Sequence, residues 1–537
     1  MSRRKRYIAW LSGIIVLLAL AYAGSPWIAA HIVKRELSAW DLQDIQVRAG
    51  YPGLHALRLH RIQFTTTVGG QKIAFQLNGV EISYRLGEIL SGRLERIRVP
   101  GATAHVVPVS GTEQAAPVSG ELASGARNLA AILSGQWLAQ FPVREVALEQ
   151  LVVDGRAPSD VRYGARLHGS IRQGQANASG IIELPARSTS IVVAFSARKN
   201  GETKLSLAPG TAEPILQWTI DPVALDERPV RVAGALRVRL HGLLSVLQPW
   251  FAGTDWPSQV DGDLNAKWQV VLPAASGKPI DLSVHVAGAE GSYRKIALAG
   301  VDADVALAVD GGVRTSTDAQ LKVGLLDVGI PIRNLELRCA LLLRAEARSP
   351  VVRVKKASAE LLGGRARSEP FDLDFARPKN RFVVKLEGLS LHDIMELERQ
   401  EGLEGTGILD GQLPVAISGA GIRVEQGRLS ARAPGGQIRY RPTEKVGAMA
   451  KSNPSLKLVV DALSNFQYQK LEATANYQPD GNLGVQVRLE GKNPGWQSGR
   501  PVHLNLNVEE NIPALLRSLQ MGGEITERVR EYYQKTR

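Results

Sequence analysis

The 537-residue chain has one cysteine, Cys339, so an internal disulfide is excluded. Cys339 falls in the apolar phase of an alternating run and reads as a small core residue rather than a reactive thiol. Aromatic residues are only 5% of the sequence, which leaves Leu, Val, Ile and Ala to supply the apolar surface. The motifs of catalysis are missing too. There is no GxSxG elbow and no HExxH pair. The nine histidines are scattered; His55 and His60 are near one another, but no Cys or further His completes a metal set. GTGILDG (405–411) has the wrong spacing for a dinucleotide loop, and the GK pairs at Gly277 and Gly491 lack the setting of a phosphate loop. Asp302, Asp304 and Asp310 lie on the polar phase of a strand, where solubility explains them better than calcium does. The expectation is a chain that is not an enzyme and needs no metal or cofactor.

Charge of one sign is not concentrated either. The formal charge is +13, from 65 basic and 52 acidic residues, and Arg3, Arg4, Lys5 and Arg6 supply four of it. The rest is spread over many segments, which argues against nucleic acid as a partner and permits only weak attraction to anionic headgroups.

Long apolar runs are absent with one exception. Residues 7–30 carry no charge, and Ile8, Trp10, Ile14, Val16, Leu18, Leu20 and Trp27 make that stretch long enough to cross a bilayer core as a helix. The basic residues of the 1–6 tail predict a cytoplasmic N-terminus, with everything after the anchor across the membrane. The competing reading is a cleaved signal peptide, with Ala21, Tyr22 and Ala23 as the small-x-small site.

The remainder is glycine-rich with few helical runs, and it alternates apolar with polar residues, so the predicted class is mainly β. Val230, Val232, Leu236, Val238 and Leu240 share one phase, against Arg231, Arg237, Arg239 and His241. Val301, Val305, Leu307 and Val309 oppose Asp302, Asp304 and Asp310. Leu335, Leu337, Cys339, Leu341 and Leu343 follow, and later Leu483, Val485, Val487 and Leu489. Strict alternation gives each strand one wet and one dry face, and short connections predict antiparallel neighbours. Helices are predicted for residues 31–40 and 127–141, for 390–400 with Ser390 as its cap, and twice after Asn511, and 243–251 reads as a short apolar helix or turn. The dry face can be closed by a second sheet, as in a sandwich, or left as the inside of one long twisted sheet curled into a trough. Alternation alone leaves both open.

Residues 382–440, especially GTGILDGQLPVAISG and APGGQIRY, resemble the C-terminal domain of the YdbH family. So do NFQYQKLEATANYQPDGNLGVQVRLEGKNPGW (465–496) and PVHLNLNVEENIPALLRSL (501–519). The earlier part is similar only to the wider AsmA-like group. The resemblance implies an inner-membrane anchor (7–30), a periplasmic hydrophobic trough (31–380), a YdbH-like β domain (381–510) and C-terminal helices (511–537). It implies phospholipid transport, with Val232, Leu236, Val238, Leu240, Val305, Leu307, Leu337, Leu341, Val485 and Val487 facing lipid. It further implies an outer-membrane lipoprotein partner at the C-terminal end. The alternative is an envelope scaffold or outer-membrane-protein assembly factor that binds through sheet edges.

Overall fold

The structure is a computed structural model. It describes residues 22–38, 42–68, 71–89, 93–107, 138, 143–156, 162–184, 189–210, 212–222, 230–247, 258–272, 280–293, 296–310, 312–344, 349–397 and 402–520. These residues are mainly β, as predicted, with 29 strands and a few short helices. They fall into two compact units, residues 1–256 with 267–275 and residues 257–266 with 276–537. The strand Ser258–Leu272 is divided between them.

The first unit begins with the antiparallel strands Gln43–Ala49, Ala56–Val68 and Gln71–Ser83. Leu94–Val99 and Gly101–Val107 pair with Gln71–Ser83 on one side and with Val143–Arg156 on the other. That second pairing is parallel, so the sheet is mixed rather than wholly antiparallel as predicted. The connection at 108–142 exceeds the dozen or so residues that a parallel crossover requires. From Val143–Arg156 the strands Arg162–Arg172, Gln175–Leu184, Thr189–Arg198, Thr203–Pro209, Leu216–Ile220 and Val230–Arg239 add one after another, all antiparallel. The register of this part is pinned by turns such as Gln173–Gly174, whose φ of 50° and 75° suit a two-residue hairpin and need a glycine at the second place. Val33 and Leu37 on the helix at 22–38 pack against Leu59, Ile62 and Val80 and close the apolar face of the first strands.

In the second unit Ile280–Tyr293, Ile296–Val309, Ala319–Asp327, Pro331–Leu343 and Val351–Leu361 lie side by side in chain order. Gly364–Ser368 continues the order to Lys379–Ser390, Ile408–Ser418, Gly421–Ala431, Phe466–Tyr477, Asn482–Lys492 and Pro501–Asn511. All of these pairings are antiparallel. The helix Leu391–Leu397 starts where Ser390 was predicted to cap it: the Ser390 hydroxyl accepts the Asp393 N–H at 3.2 Å and donates to the Asp393 carboxylate at 3.0 Å. Asn511 likewise caps Ile512–Gln520, accepting the Ala514 N–H at 3.0 Å. The helix or turn predicted at 243–251 is the helix Leu240–Leu247, so Leu240 opens a helix instead of ending the strand Val230–Arg239. The helices predicted at 127–141 and after residue 523 lie outside the described residues, apart from Leu138.

Candidate functional site

The pairing register of the second unit sorts side chains into rows that run across the strands. Val286, Ala303, Leu321, Leu337, Ala357, Ser368, Val384 and Leu413 stand beside one another on eight successive strands. A neighbouring row is Ala359, Ala366, Leu386, Gly411, Leu429, Ala473, Val487 and Leu506, reaching the last strand. On the opposite face Asp302, Lys322, Glu336, Ser358, Arg367, Lys385, Gln412, Arg428, Thr474, Gln486 and Asn507 form one polar row across eleven strands. Period-2 alternation combined with antiparallel pairing produces these rows, because along each of them every partner strand presents the same phase to the same side, while register shifts interrupt the pairing elsewhere on the strands.

The two ends of the apolar face differ in what covers them. Toward the C-terminal strands, Leu391, Ile394 and Met395 of one helix and Val459 and Leu463 of Pro454–Leu463 sit on a buried cluster that includes Leu386, Phe466, Leu471 and Leu489. Among the described residues, no buried apolar cluster forms on the strands from Ile280–Tyr293 to Pro331–Leu343. The buried side chains on them are Ala297, Ala299, Ala308, Val323, Leu325 and Asp327, of which Val323 and Leu325 share the phase of Leu321. Every member of the row from Val286 to Leu413 is only half-buried. A face closed by a second sheet would bury such residues fully.

Of the residues predicted to face lipid, Val305, Leu307, Leu337 and Leu341 are half-buried on this open part. Val305 lies beside Val284, Leu307 beside Leu282 and Leu341 beside Val352. Val485 and Val487 share the face but pack against the covered cluster. In the first unit Val232 (4% exposed) is buried with Ile220 against Trp218, Trp268 and Val270. Val238 is buried too and pairs with Leu216, whereas Leu236 is half-buried beside Trp218. Leu240 is half-buried on its helix. An apolar row is also present in this unit, through Phe64, Phe75, Ala104, Val153, Ala165, Ile182, Ile191 and Pro209. Sequence reasoning passed over Ala303 and Ala357, although they share the phase of Val305 and Leu337; their small size hid them. Of the predicted anchor residues, Ile8, Trp10, Ile14, Val16, Leu18 and Leu20 lie outside the described residues. Trp27 is 73% exposed on the helix at 22–38. Among the described residues no helix is long and apolar enough to cross a membrane.

The polar side is laced by cross-strand ion pairs. Arg353 clamps Asp372 through Nε at 2.8 Å and Nη2 at 3.0 Å, and Lys356 pairs with Glu336. The Lys356 ammonium holds the Glu336 carboxyl below its ordinary range. These groups are exposed, so each pair adds little stability but keeps the face charged and wet. The Cys339 thiol is pushed up by burial and then by the charge of Asp318, in keeping with an unreactive residue.

The motifs that carry the family resemblance serve the fold. Tyr468 is 2% exposed and its hydroxyl donates to the Thr406 carbonyl at 2.8 Å. Gly407, at φ 131°, leaves room for that hydroxyl, and a Cβ there would strike it. Burial pushes the Tyr468 phenol up, so it stays a proton donor. Asp410 of GTGILDG accepts Arg432 Nε at 2.6 Å and Nη2 at 2.7 Å and the Gly388 N–H at 2.9 Å. Asn493 of GKNPGW is 2% exposed and its amide donates to the Asp461 carbonyl at 2.9 Å and to Ser464 Oγ at 3.0 Å, ending the helix Pro454–Leu463.

A groove of about 720 Å³ lies at the strand ends, where the charged Arg333, Glu360, Arg365 and Arg432 share the lining with the apolar Ile330, Leu361, Leu362, Leu397 and Leu519. Among the described residues no group of three or more His, Cys, Asp or Glu could hold a metal ion. A family model described as YdbH-like, intermembrane phospholipid transport protein YdbH, matches residues 238–534, more than half of the chain. Comparison with curated proteins and with solved structures gives no match.

Proposed function

The chain belongs to the YdbH-like family, and from that membership we propose that it carries phospholipid between the inner and outer membranes along its aliphatic face. The observation that carries the reading is the half-buried row Val286, Ala303, Leu321, Leu337 and Ala357, an apolar strip with no covering layer among the described residues. Acyl tails provide that cover. Each buried methylene contributes about 0.8 kcal/mol, so a lipid chain is held firmly while its headgroup stays in water. Successive strands are spaced by roughly 4.8 Å, and neighbouring positions along the row offer nearly the same aliphatic surface. A tail therefore meets no deep well as it moves from strand to strand. The mechanism is passive and uses no catalytic residue or cofactor.

In this reading residues 7–30 anchor the chain in the inner membrane in a single pass, and the strands form a curled trough in the periplasm. The far end holds the strand Pro501–Asn511, which pairs only with Asn482–Lys492 among the described residues. An outer-membrane lipoprotein docks at this end on the segment 511–537 and extends the sheet by strand pairing. The same open edge suits the second reading, a scaffold that binds partners and no lipid. Mass spectrometry of the purified chain separates them. Phospholipid bound in near-stoichiometric amount supports transport, and its absence with a partner still captured supports the scaffold. Deletion of residues 511–537 should release the partner while the protein remains anchored; loss of the whole protein would show instead that this segment caps the fold.

A further inference from the structure

The turn at residues 50–55 (GYPGLH) joins Gln43–Ala49 to Ala56–Val68 and is firmly built. Gly50 N–H donates to the Arg58 carbonyl at 2.7 Å, Gly53 N–H to Ala56 at 2.8 Å, and Tyr84 N–H to His55 at 2.9 Å. The Tyr84 hydroxyl donates to the Gly53 carbonyl at 2.7 Å. Yet the turn holds apolar side chains away from the protein: Tyr51 is 58% exposed and Leu54 73%. A turn facing water ordinarily carries polar residues at such places, and residues 49–54 contain no charge.

Tyr51 is not isolated. Its ring stacks on Tyr22 with centroids 5.1 Å apart and planes 21° from parallel. Tyr22 begins the described part of the helix at 22–38, which also exposes Trp27 (73%) and Ile28 (50%). Residue 22 lies eight positions before residue 30, where the uncharged run ends, which is roughly 12 Å along a helix. The stack therefore fixes the turn level with a segment inside that run, not beyond it. We propose that the turn 50–55 is a wedge inserted into the bilayer leaflet from which the anchor helix emerges, with Tyr51 held against Tyr22 and Leu54 among acyl chains. The wedge ties the first strands to the lipid surface at a second point, which one helix cannot do by itself. This inference rests on the reading of residues 7–30 as a retained anchor.

The test uses the full chain with Cys339→Ala, reconstituted into vesicles of phosphatidylethanolamine and phosphatidylglycerol that contain spin-labelled lipid as quencher. An environment-sensitive fluorophore is attached in turn at Leu54→Cys, Trp27→Cys and Leu458→Cys; Leu458 is exposed on the helix Pro454–Leu463 of the second unit and serves as the control. The wedge predicts that labels at 54 and 27 both lose most of their fluorescence while the label at 458 keeps it. Quenching at 27 with position 54 matching the control overturns the wedge and leaves the anchor intact. Quenching at none of the three overturns both. Equal quenching at all three overturns a local wedge in favour of general adsorption to the membrane.

Discussion

Replacing Leu337 by aspartate should block lipid without unfolding the protein. Leu337 is half-buried between Leu321 and Ala357 on the uncovered part of the face. Full burial of a leucine is worth about 1.5–3 kcal/mol, so removing a half-buried one costs roughly 1 kcal/mol. The carboxylate remains within reach of water and adds little. Leu489→Asp is the matched control on the same face: Leu489 is 1% exposed and lies in the covered cluster beside Leu471. There the lost packing, about 2–5 kcal/mol, combines with a charge that has no partner, and the sum rivals the whole stability of a domain. In cells, Leu337→Asp should accumulate near the wild-type level with a nearly unchanged urea midpoint, and Leu489→Asp should be degraded. An acyl chain against the new carboxylate is disfavoured by several kcal/mol, and 1.4 kcal/mol is tenfold in occupancy, so lipid recovered with Leu337→Asp should fall by more than about tenfold. Equal loss of the two variants would show that the face is a closed core. A stable Leu337→Asp that binds lipid like the wild type would remove lipid from this face.

Other expectations follow from the packing of the C-terminal strands. Tyr468→Phe removes the hydroxyl that serves the Thr406 carbonyl and should cost about 1 kcal/mol in urea unfolding, while Gly407→Ala, which meets that hydroxyl at a strained φ, should cost more; the reverse order would refute the close approach. Asn453 caps Pro454–Leu463 by accepting the Ser455 and Leu456 N–H groups at 3.1 and 3.2 Å, so Asn453→Ala should cost about 1 kcal/mol and leave the first unit unaffected by hydrogen exchange. Arg432 holds the Asp410 carboxyl below its ordinary range. The contribution of that pair is present above the usual carboxylate range and is lost as pH falls through the depressed value. Asp410→Asn should therefore lower stability near neutrality and flatten the acid limb of the stability curve; an unchanged acid limb would refute the coupling.

Much of the face was legible because alternation and antiparallel pairing are both period-2 rules. Phases read one strand at a time, such as Val301 to Val309 and Leu335 to Leu343, join into rows wherever neighbouring strands pair in register. Capping by Ser390 and Asn511 was local chemistry and equally legible. The parallel entry of Val143–Arg156 was not, because it depends on where a long connection returns. The helices Glu444–Ser452 and Pro454–Leu463 were missed although Asn453-Pro454 is a helix start and Leu456, Val459, Val460 and Leu463 follow helical spacing. Cover is what the pattern could not convey. Val305 and Val487 have the same alternation, yet one lies on open sheet and the other against the cluster beneath two helices, since alternation reports which side is dry and not what dries it.

The central claim is that lipid lies on one face of these strands and not the other. The most direct measurement places a photo-crosslinking amino acid at adjacent positions of a single strand: Leu337 and Arg338, then Val305 and Asp304 as a second pair. After irradiation of intact cells, adducts are identified by mass spectrometry. Phospholipid should be captured at 337 and 305 and not at 338 and 304. Equal capture on both faces, or none at 337 and 305 in a stable protein, would contradict the account.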